Sequence, residues 1–237
     1  MLRCCLVLAV GALTLLGSAA RLQAQQVTAD CQIEDVMACI SQAEAGDPHA
    51  QYSLGGMYDA GRGARQDHTE AERWYRLAAA QGNAGAQREL GWRYASGLGV
   101  DKDDEEAVRW FRQAATQGDA AAQVSLGVMY DTGRGVAQSS AEAVRWYRLA
   151  AVQGNAAAQV NLGTSYATGE GVRRDYSRAY LWLSLAVDSS EFGDRADRLK
   201  ARDALTPHLS STQRARVQTQ ARRCKASGFK DCGEPTR

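Results

Sequence analysis

Alanine, leucine and a tyrosine recur along this chain at i, i+4 and i+8, four times over. The four stripes are Ala50/Leu54/Tyr58, Ala86/Leu90/Tyr94, Ala122/Leu126/Tyr130 and Ala158/Leu162/Tyr166. That spacing places each trio along one side of an α-helix, here helix A. A second stripe follows each one: Ala71/Trp74/Tyr75/Ala78, Ala107/Trp110/Phe111/Ala114, Ala143/Trp146/Tyr147/Ala150 and Ala179/Trp182/Leu183/Ala186, which predicts helix B. The pattern repeats every 36 residues, over 46–81, 82–117, 118–153 and 154–189. A fixed period of this size marks a solenoid, in which each unit buries its apolar face only against its neighbours. The expected fold is all-α: an α/α superhelical solenoid of four helix-turn-helix repeats with terminal capping helices, over 25–45 at one end and 190–237 at the other.

Polar and small residues punctuate the stripes at matching positions. Each unit opens Gly-Asp or Gly-Asn, as at Gly46-Asp47 and Gly82-Asn83, so that glycine ends one helix and the next residue caps the following one. Pro48 suits a first helical position, where its missing N–H does no harm. Gly55, Gly91, Gly127 and Gly163 flank the A stripe and remove bulk where helices cross. Helix A ends in Gly-x-Gly at 61/63, 97/99, 133/135 and 169/171, which reads as a turn; a phosphate loop would follow a strand and carry Lys-Ser or Lys-Thr. Helix B opens with Asp67-x-x-Glu70, Asp103-x-x-Glu106 and Ser139-x-x-Glu142, which resemble capping boxes; the fourth unit has Asp175 and Arg178, a broken box.

The string Gly-[Asp/Asn]-x-x-Ala-Gln-x-x-Leu-Gly-x-x-Tyr-x-x-Gly-x-Gly, followed by Ala-x-x-Trp-[Tyr/Phe]-x-x-Ala, resembles the Sel-1-like repeat, a branch of the tetratricopeptide-like α/α repeats. The resemblance covers residues 46–189 in four copies. It implies a superhelix of helix pairs and a role as scaffold or adaptor in protein complexes, secreted or envelope-located in bacteria. Some secreted, cysteine-rich members of that family are described as β-lactamase-like, with disulfides inside the repeats. Here no cysteine lies between Cys39 and Cys224.

The N-terminus changes the expected location. Met1-Leu2-Arg3, an apolar run from Cys4 to Leu16 and Gly17-Ser18-Ala19-Ala20 read as a secretory signal peptide over 1–24, cleaved after Ala20 or Ala24. The expected destination is the periplasm or beyond, where disulfides persist. The mature chain would keep Cys31, Cys39, Cys224 and Cys232. Local pairing is expected, Cys224 with Cys232 and Cys31 with Cys39. The second pair requires Cys31 to lie outside the helix, because eight helical steps separate Cα atoms by about 12 Å. The formal charge of +1 becomes −1 once Arg3 and Arg21 are removed, a poor match to nucleic acid.

Candidate chemistry is sparse. Ser227-x-x-Lys230 is a lone Ser-x-x-Lys without the Ser-Asp-Asn and Lys-Thr-Gly partners of a serine β-lactamase. His49, His68 and His208 have no metal-ligand spacing, and the acidic run 101–106 lacks the glycine of a calcium loop. No catalytic residue, metal or cofactor is expected; a β-lactam- or cell-wall-fragment-processing enzyme stands as the alternative. A second alternative is a glycan or anionic-lipid binder using Arg195, Arg198, Lys200, Arg202, Arg214, Arg216, Arg222 and Arg223, which otherwise supply the polar outer face of the terminal cap.

Helix geometry locates a binding surface. The arc of helix A opposite its stripe carries Tyr52 in the first unit, Arg88 and Trp92 in the second, Val124, Val128 and Asp131 in the third, and Val160 and Thr164 in the fourth. In an α/α solenoid with helix A inside, this arc lines the concave groove. Trp92 is the single tryptophan outside the helix-B position, with Gly56, Val128 and Thr164 as counterparts. Tryptophan and arginine are common interface hot spots, so a protein or peptide partner in the groove is the expected function.

Overall fold

The computed structural model describes residues 36–63, 65–189, 195–230 and 232. The expected signal segment over 1–24 and Cys31 lie outside them. Eleven α-helices make up the described chain: α1 (Val36–Glu44), α2 (Pro48–Ala60), α3 (His68–Ala80), α4 (Ala84–Ser96), α5 (Asp104–Thr116), α6 (Ala120–Thr132), α7 (Ser140–Ala151), α8 (Ala156–Thr168), α9 (Tyr176–Val187), α10 (Arg195–Asp203) and α11 (Ser211–Ala226). The chain divides into two compact units between Gln81 and Gly82, a repeat boundary.

Each A helix begins where the sequence places its cap. Asp47, Asn83, Asp119 and Asn155 sit in extended backbone and their side chains accept from the first-turn N–H groups. Each ends on a left-handed glycine: Gly61, Gly97, Gly133 or Gly169. Within each repeat, helix A meets helix B at the flanking glycine. A Cβ on Gly91 would stand 2.5 Å from the Phe111 ring, one on Gly127 2.5 Å from Tyr147, and one on Gly163 2.8 Å from Leu183. In the first unit the same place holds Gly55 against Tyr75, at 2.8 Å.

Helix B is capped differently from the reading of its sequence. Asp67, Asp103, Ser139 and Asp175 all accept from first-turn N–H groups, the fourth included although its box is broken. The return arm of the box is not used in these four. The cap N–H groups bond instead to the carbonyls of Tyr58, Tyr94, Tyr130 and Tyr166, at 2.8–3.0 Å. Freed from that duty, Glu70, Glu106 and Glu142 turn to Arg73, Arg109 and Arg145 three residues on. A complete capping box occurs at α11, between Ser210 and Gln213.

In the first unit, α1 lays Cys39 and Ala43 on Ala50, Leu54 and Met57. In the second, one cluster joins α5, α6 and α7 through Phe111, Leu126 and Trp146, and another joins α7 to α11 through Tyr147, Leu162, Trp182 and Leu183. The cap occupies the far side of α9. Where the earlier B helices carry Arg73, Arg109 and Arg145, α9 carries Leu181, buried with Leu185, Leu205, Leu209 and Val217. The cap over 190–237 consists of α10 and α11, separated by a short 3-10 turn at Thr206–His208.

In the third and fourth repeats the second glycine of Gly-x-Gly has a role beyond turning. A Cβ on Gly135 would fall 2.0 Å from the Asp104 carbonyl oxygen, and one on Gly171 2.1 Å from that of Ser140. These glycines press on the start of helix B one repeat earlier. Arg134 adds a polar clamp, donating to both Asp104 carboxylate oxygens at 3.2 and 2.5 Å and to the Ala95 carbonyl at 3.2 Å. The hydrogen bond from Arg134 holds the Asp104 carboxyl below the ordinary carboxylate range, opposed by partial burial and reinforced by the charges of Arg134 and Lys102.

Two stability measurements follow. Gly118→Ala, with positive φ and open space around it, should cost about 1–2 kcal/mol in denaturant unfolding. Gly171→Ala, with the same backbone penalty plus a collision with backbone, should cost at least 2 kcal/mol more, on the order of an overpacked core. A depressed folded-state pKa contributes stability present above the unfolded carboxylate value of about 4 and lost as pH falls through the folded value. Arg134→Gln should therefore lower stability at neutral pH, by about 0.5 kcal/mol for so exposed a pair. The gap to the parent should close as the pH falls below the ordinary carboxylate range.

Candidate functional site

The A helices of the second unit bury one side and leave the other open. Leu90, Leu126 and Leu162 are fully buried, whereas Trp92, Val128 and Thr164, two residues on in each repeat, are exposed. Trp92 shows 53 % of its surface. Its ring stands edge-on to Phe111, centroids 5.8 Å apart at 84°. Phe111 is itself fixed against Gly91, so the indole is held on a rigid base with much of its surface outward.

One turn earlier in each helix the residues are half-buried. Val124 and Val160 pack against the core of repeats three and four. Arg88 directs its guanidinium to Asp119 at 2.8 Å and Glu89 at 3.0 Å. Asp119 thereby serves twice, one carboxylate oxygen capping α6 through Ala122 N–H and the other holding Arg88. Periodic reasoning could not find this link, because the positions equivalent to Arg88 are Tyr52, Val124 and Val160.

The hydroxyls on this face are satisfied internally. Thr164 donates to the Val160 carbonyl at 3.0 Å, Thr132 to that of Val128 at 2.7 Å, and Ser96 to that of Trp92 at 2.7 Å. Such back-bonding on a helix leaves the rest of the side chain outward. Asp131 is half-buried, and its backbone carbonyl accepts from Gln138 at 2.8 Å. Burial, with the Asp131 charge adding to it, pushes the Tyr147 phenol well above its ordinary value; both effects penalise a phenolate. In the first unit, Tyr52 is half-buried with its ring 5.8 Å from that of Tyr75.

The remaining candidates fall elsewhere. Ser227 is the C-cap of α11 and its hydroxyl donates to the Cys224 carbonyl at 2.8 Å, an ordinary helix-end role. His68 bonds Asp59 at 2.7 Å and His208 stacks on Tyr176 at 4.2 Å. Among the described residues no group of three or more His, Cys, Asp or Glu is placed to hold a metal. Arg198 departs from the expected outer face: it is 5 % exposed and donates to the Ser189 carbonyl at 2.5 Å, tying α10 to the end of α9. Cys224 and Cys232 form the expected disulfide, Cα atoms 4.6 Å apart, with Gly228 at positive φ where the chain turns back. Cys39 is also disulfide-bonded; a pairing with Cys31 lies outside the described residues.

The family model described as Sel1 repeat matches four segments, 48–83, 84–119, 120–155 and 156–190, each beginning at the first residue of an A helix. The chain belongs to the Sel1-repeat family. A solved Sel1 repeat protein from Oxalobacter formigenes is 33% identical with a TM-score of 0.67, covering 81% of this chain and 79% of that one. A protective antigen present in uropathogenic Escherichia coli strains, displaying an SLR fold, is 27% identical with a TM-score of 0.53, covering 81% of this chain and 49% of that one. No curated protein matches. The fold is thus the α/α solenoid of this family, and its relatives among solved structures are bacterial. Sel1 repeats generally mediate protein–protein interaction and are of the non-catalytic scaffold type. Among the described residues no helix is long and apolar enough to cross a membrane.

The exposure of Trp92 gives a direct optical check on this Sel1-repeat surface. Of the five tryptophans, Trp74, Trp146 and Trp182 are buried. Trp92→Phe should remove the long-wavelength part of the emission and most of the acrylamide-quenchable intensity. Unchanged quenching would place the indole inside the fold.

Proposed function

We propose that this protein is a secreted or periplasmic scaffold that binds an apolar-rich peptide or helix of a protein partner in a groove along the open side of the A helices of its second unit. The observation that carries this reading is the exposed indole of Trp92 on a fixed aromatic base, with exposed Val128 at the equivalent position one repeat on. A large rigid aromatic with few rotamers gives up little entropy on binding and buries a large area, which is why such residues dominate interface energetics. Val124, Val160 and Thr164 continue the face, and Asp131 and the Arg88–Asp119 pair border it with charge. Binding is an equilibrium without covalent chemistry.

Secretion is part of the proposal. It rests on the basic, apolar and small-residue sequence of positions 1–24 and on the Cys224–Cys232 disulfide, a bond that persists in oxidising compartments.

A photo-crosslinking residue in place of Trp92, in the native host, tests the site against a control at Arg109 on the charged side of helix B. The expected result is a discrete protein adduct from position 92 alone, lost when Val128→Asp is added. Identical adducts from both positions, or none from position 92, would remove the groove from consideration.

A further inference from the structure

The repeats share a second regularity, a buried amide pair, and the fourth repeat breaks it. The glutamine of each Ala-Gln on helix A is buried, and in three of them Nε2 donates to a carbonyl eight residues back: Gln51 to Ala43, Gln123 to Ala115, Gln159 to Ala151, at 3.1–3.2 Å. That bond fixes the amide orientation and leaves Oε1 facing the end of helix B. In three repeats Oε1 there accepts from a second glutamine: Gln81 to Gln51 at 2.8 Å, Gln117 to Gln87 at 2.6 Å, Gln153 to Gln123 at 2.9 Å. In the first repeat the same Gln81 amide also donates to the Gly46 carbonyl at 3.0 Å.

The fourth repeat places Ser189 where those glutamines stand. The equivalence is structural as well as numerical: Gln81, Gln117, Gln153 and Ser189 each donate their backbone N–H to the third residue back, at Ala78, Ala114, Ala150 and Ala186. Serine has no carboxamide to give. Gln159 is 1 % exposed, and its Oε1 has no hydrogen-bond partner among the described residues. It lines a cavity of about 350 Å³ at this spot, within the size range of small-ligand sites. Gly154, the counterpart of Gly46, is in the wall, and the Phe229 ring lies against it. Leu185 supplies a second apolar surface, and the ion pair of Lys225 with Asp188 stands at the lining.

We propose that this cavity binds a primary carboxamide on a short aliphatic stem, the side chain of a glutamine in a peptide ligand. The three intact repeats show the contact: one N–H to the buried glutamine Oε1, and in the first repeat the other to the glycine carbonyl. Gln159 lines the cavity, so a ligand that supplies one N–H to its Oε1 completes there the amide pairing of the earlier repeats. The apolar walls suit the methylene stem, and Lys225 offers a donor to the ligand's carbonyl oxygen. A carboxylate in place of the carboxamide has no N–H to give and meets an acceptor. The site is separate from the Trp92 surface and does not depend on it.

The test uses N-acetyl-glutamine amide and N-acetyl-glutamate amide as probes on the full mature chain, followed by amide and side-chain NMR shifts. The glutamine probe should shift Gln159 and Phe229 signals in a saturable way, and the glutamate probe should bind at least tenfold more weakly. Ser189→Gln should occupy the cavity from within, raising the thermal midpoint of the free protein and abolishing probe binding, whereas Ser189→Ala and Trp92→Ala should retain it. Absence of shifts at about 10 mM probe, equal binding of the two probes, or undiminished binding by Ser189→Gln would overturn the proposal.

Discussion

Everything in this fold rests on one close approach, the contact of a helix-A glycine with a helix-B ring. A glycine at 55, 91, 127 and 163 lets a tyrosine, phenylalanine or leucine lie directly on the A-helix backbone. The approach sets the spacing within each helix pair, and the spacing in turn brings the tyrosine carbonyls of helix A to the cap N–H groups of helix B. Loss of that contact would change the distance on which the caps, the buried amide pairs and the seating of Trp92 on Phe111 all depend. Close packing transmits such a shift because the interior has no slack.

The sequence carried the periodic part of this structure plainly. Both stripes, the A-helix caps, the left-handed glycines and the Cys224–Cys232 bond follow from residue type and spacing, since each copy repeats the same local solution. What escaped were contacts that occur once or that exchange partners. Glu70, Glu106 and Glu142 fit a capping box by spacing, yet their partners are arginines, because a backbone carbonyl from the neighbouring helix reaches the cap N–H first. Arg88 looks like an exposed hot spot on a helical wheel, but Asp119 on the next A helix of the same unit reaches it. Arg198 looks like one of a solvated cluster and is buried against a carbonyl. Each of these depends on distances between helices, which a helical wheel does not contain.

The exposed face of the A helices was legible in one respect. Helical phase alone separated Leu90, Leu126 and Leu162 from Trp92, Val128 and Thr164, and the burial of the first set and exposure of the second agree with it. Phase did not show that the hydroxyls of Thr164, Thr132 and Ser96 are already bonded to their own backbone. It also did not show how the repeat pattern ends. The glutamine-to-serine change at 189 sits outside the signature positions and has meaning only beside the amide pairs of the earlier repeats.

The replacement of a solvent-facing arginine by Leu181 has a consequence for how such an array can change in length. The earlier B helices keep Arg73, Arg109 and Arg145 on that side, whereas α9 offers an apolar one already covered by α10 and α11. A repeat gained by duplication after the fourth would separate Leu181 from its cover and leave an oily surface in water. One gained before the fourth would insert between like neighbours and leave the cap undisturbed. The chain therefore has a fixed end and an extensible interior, and unequal recombination among its repeats is tolerated in one direction only.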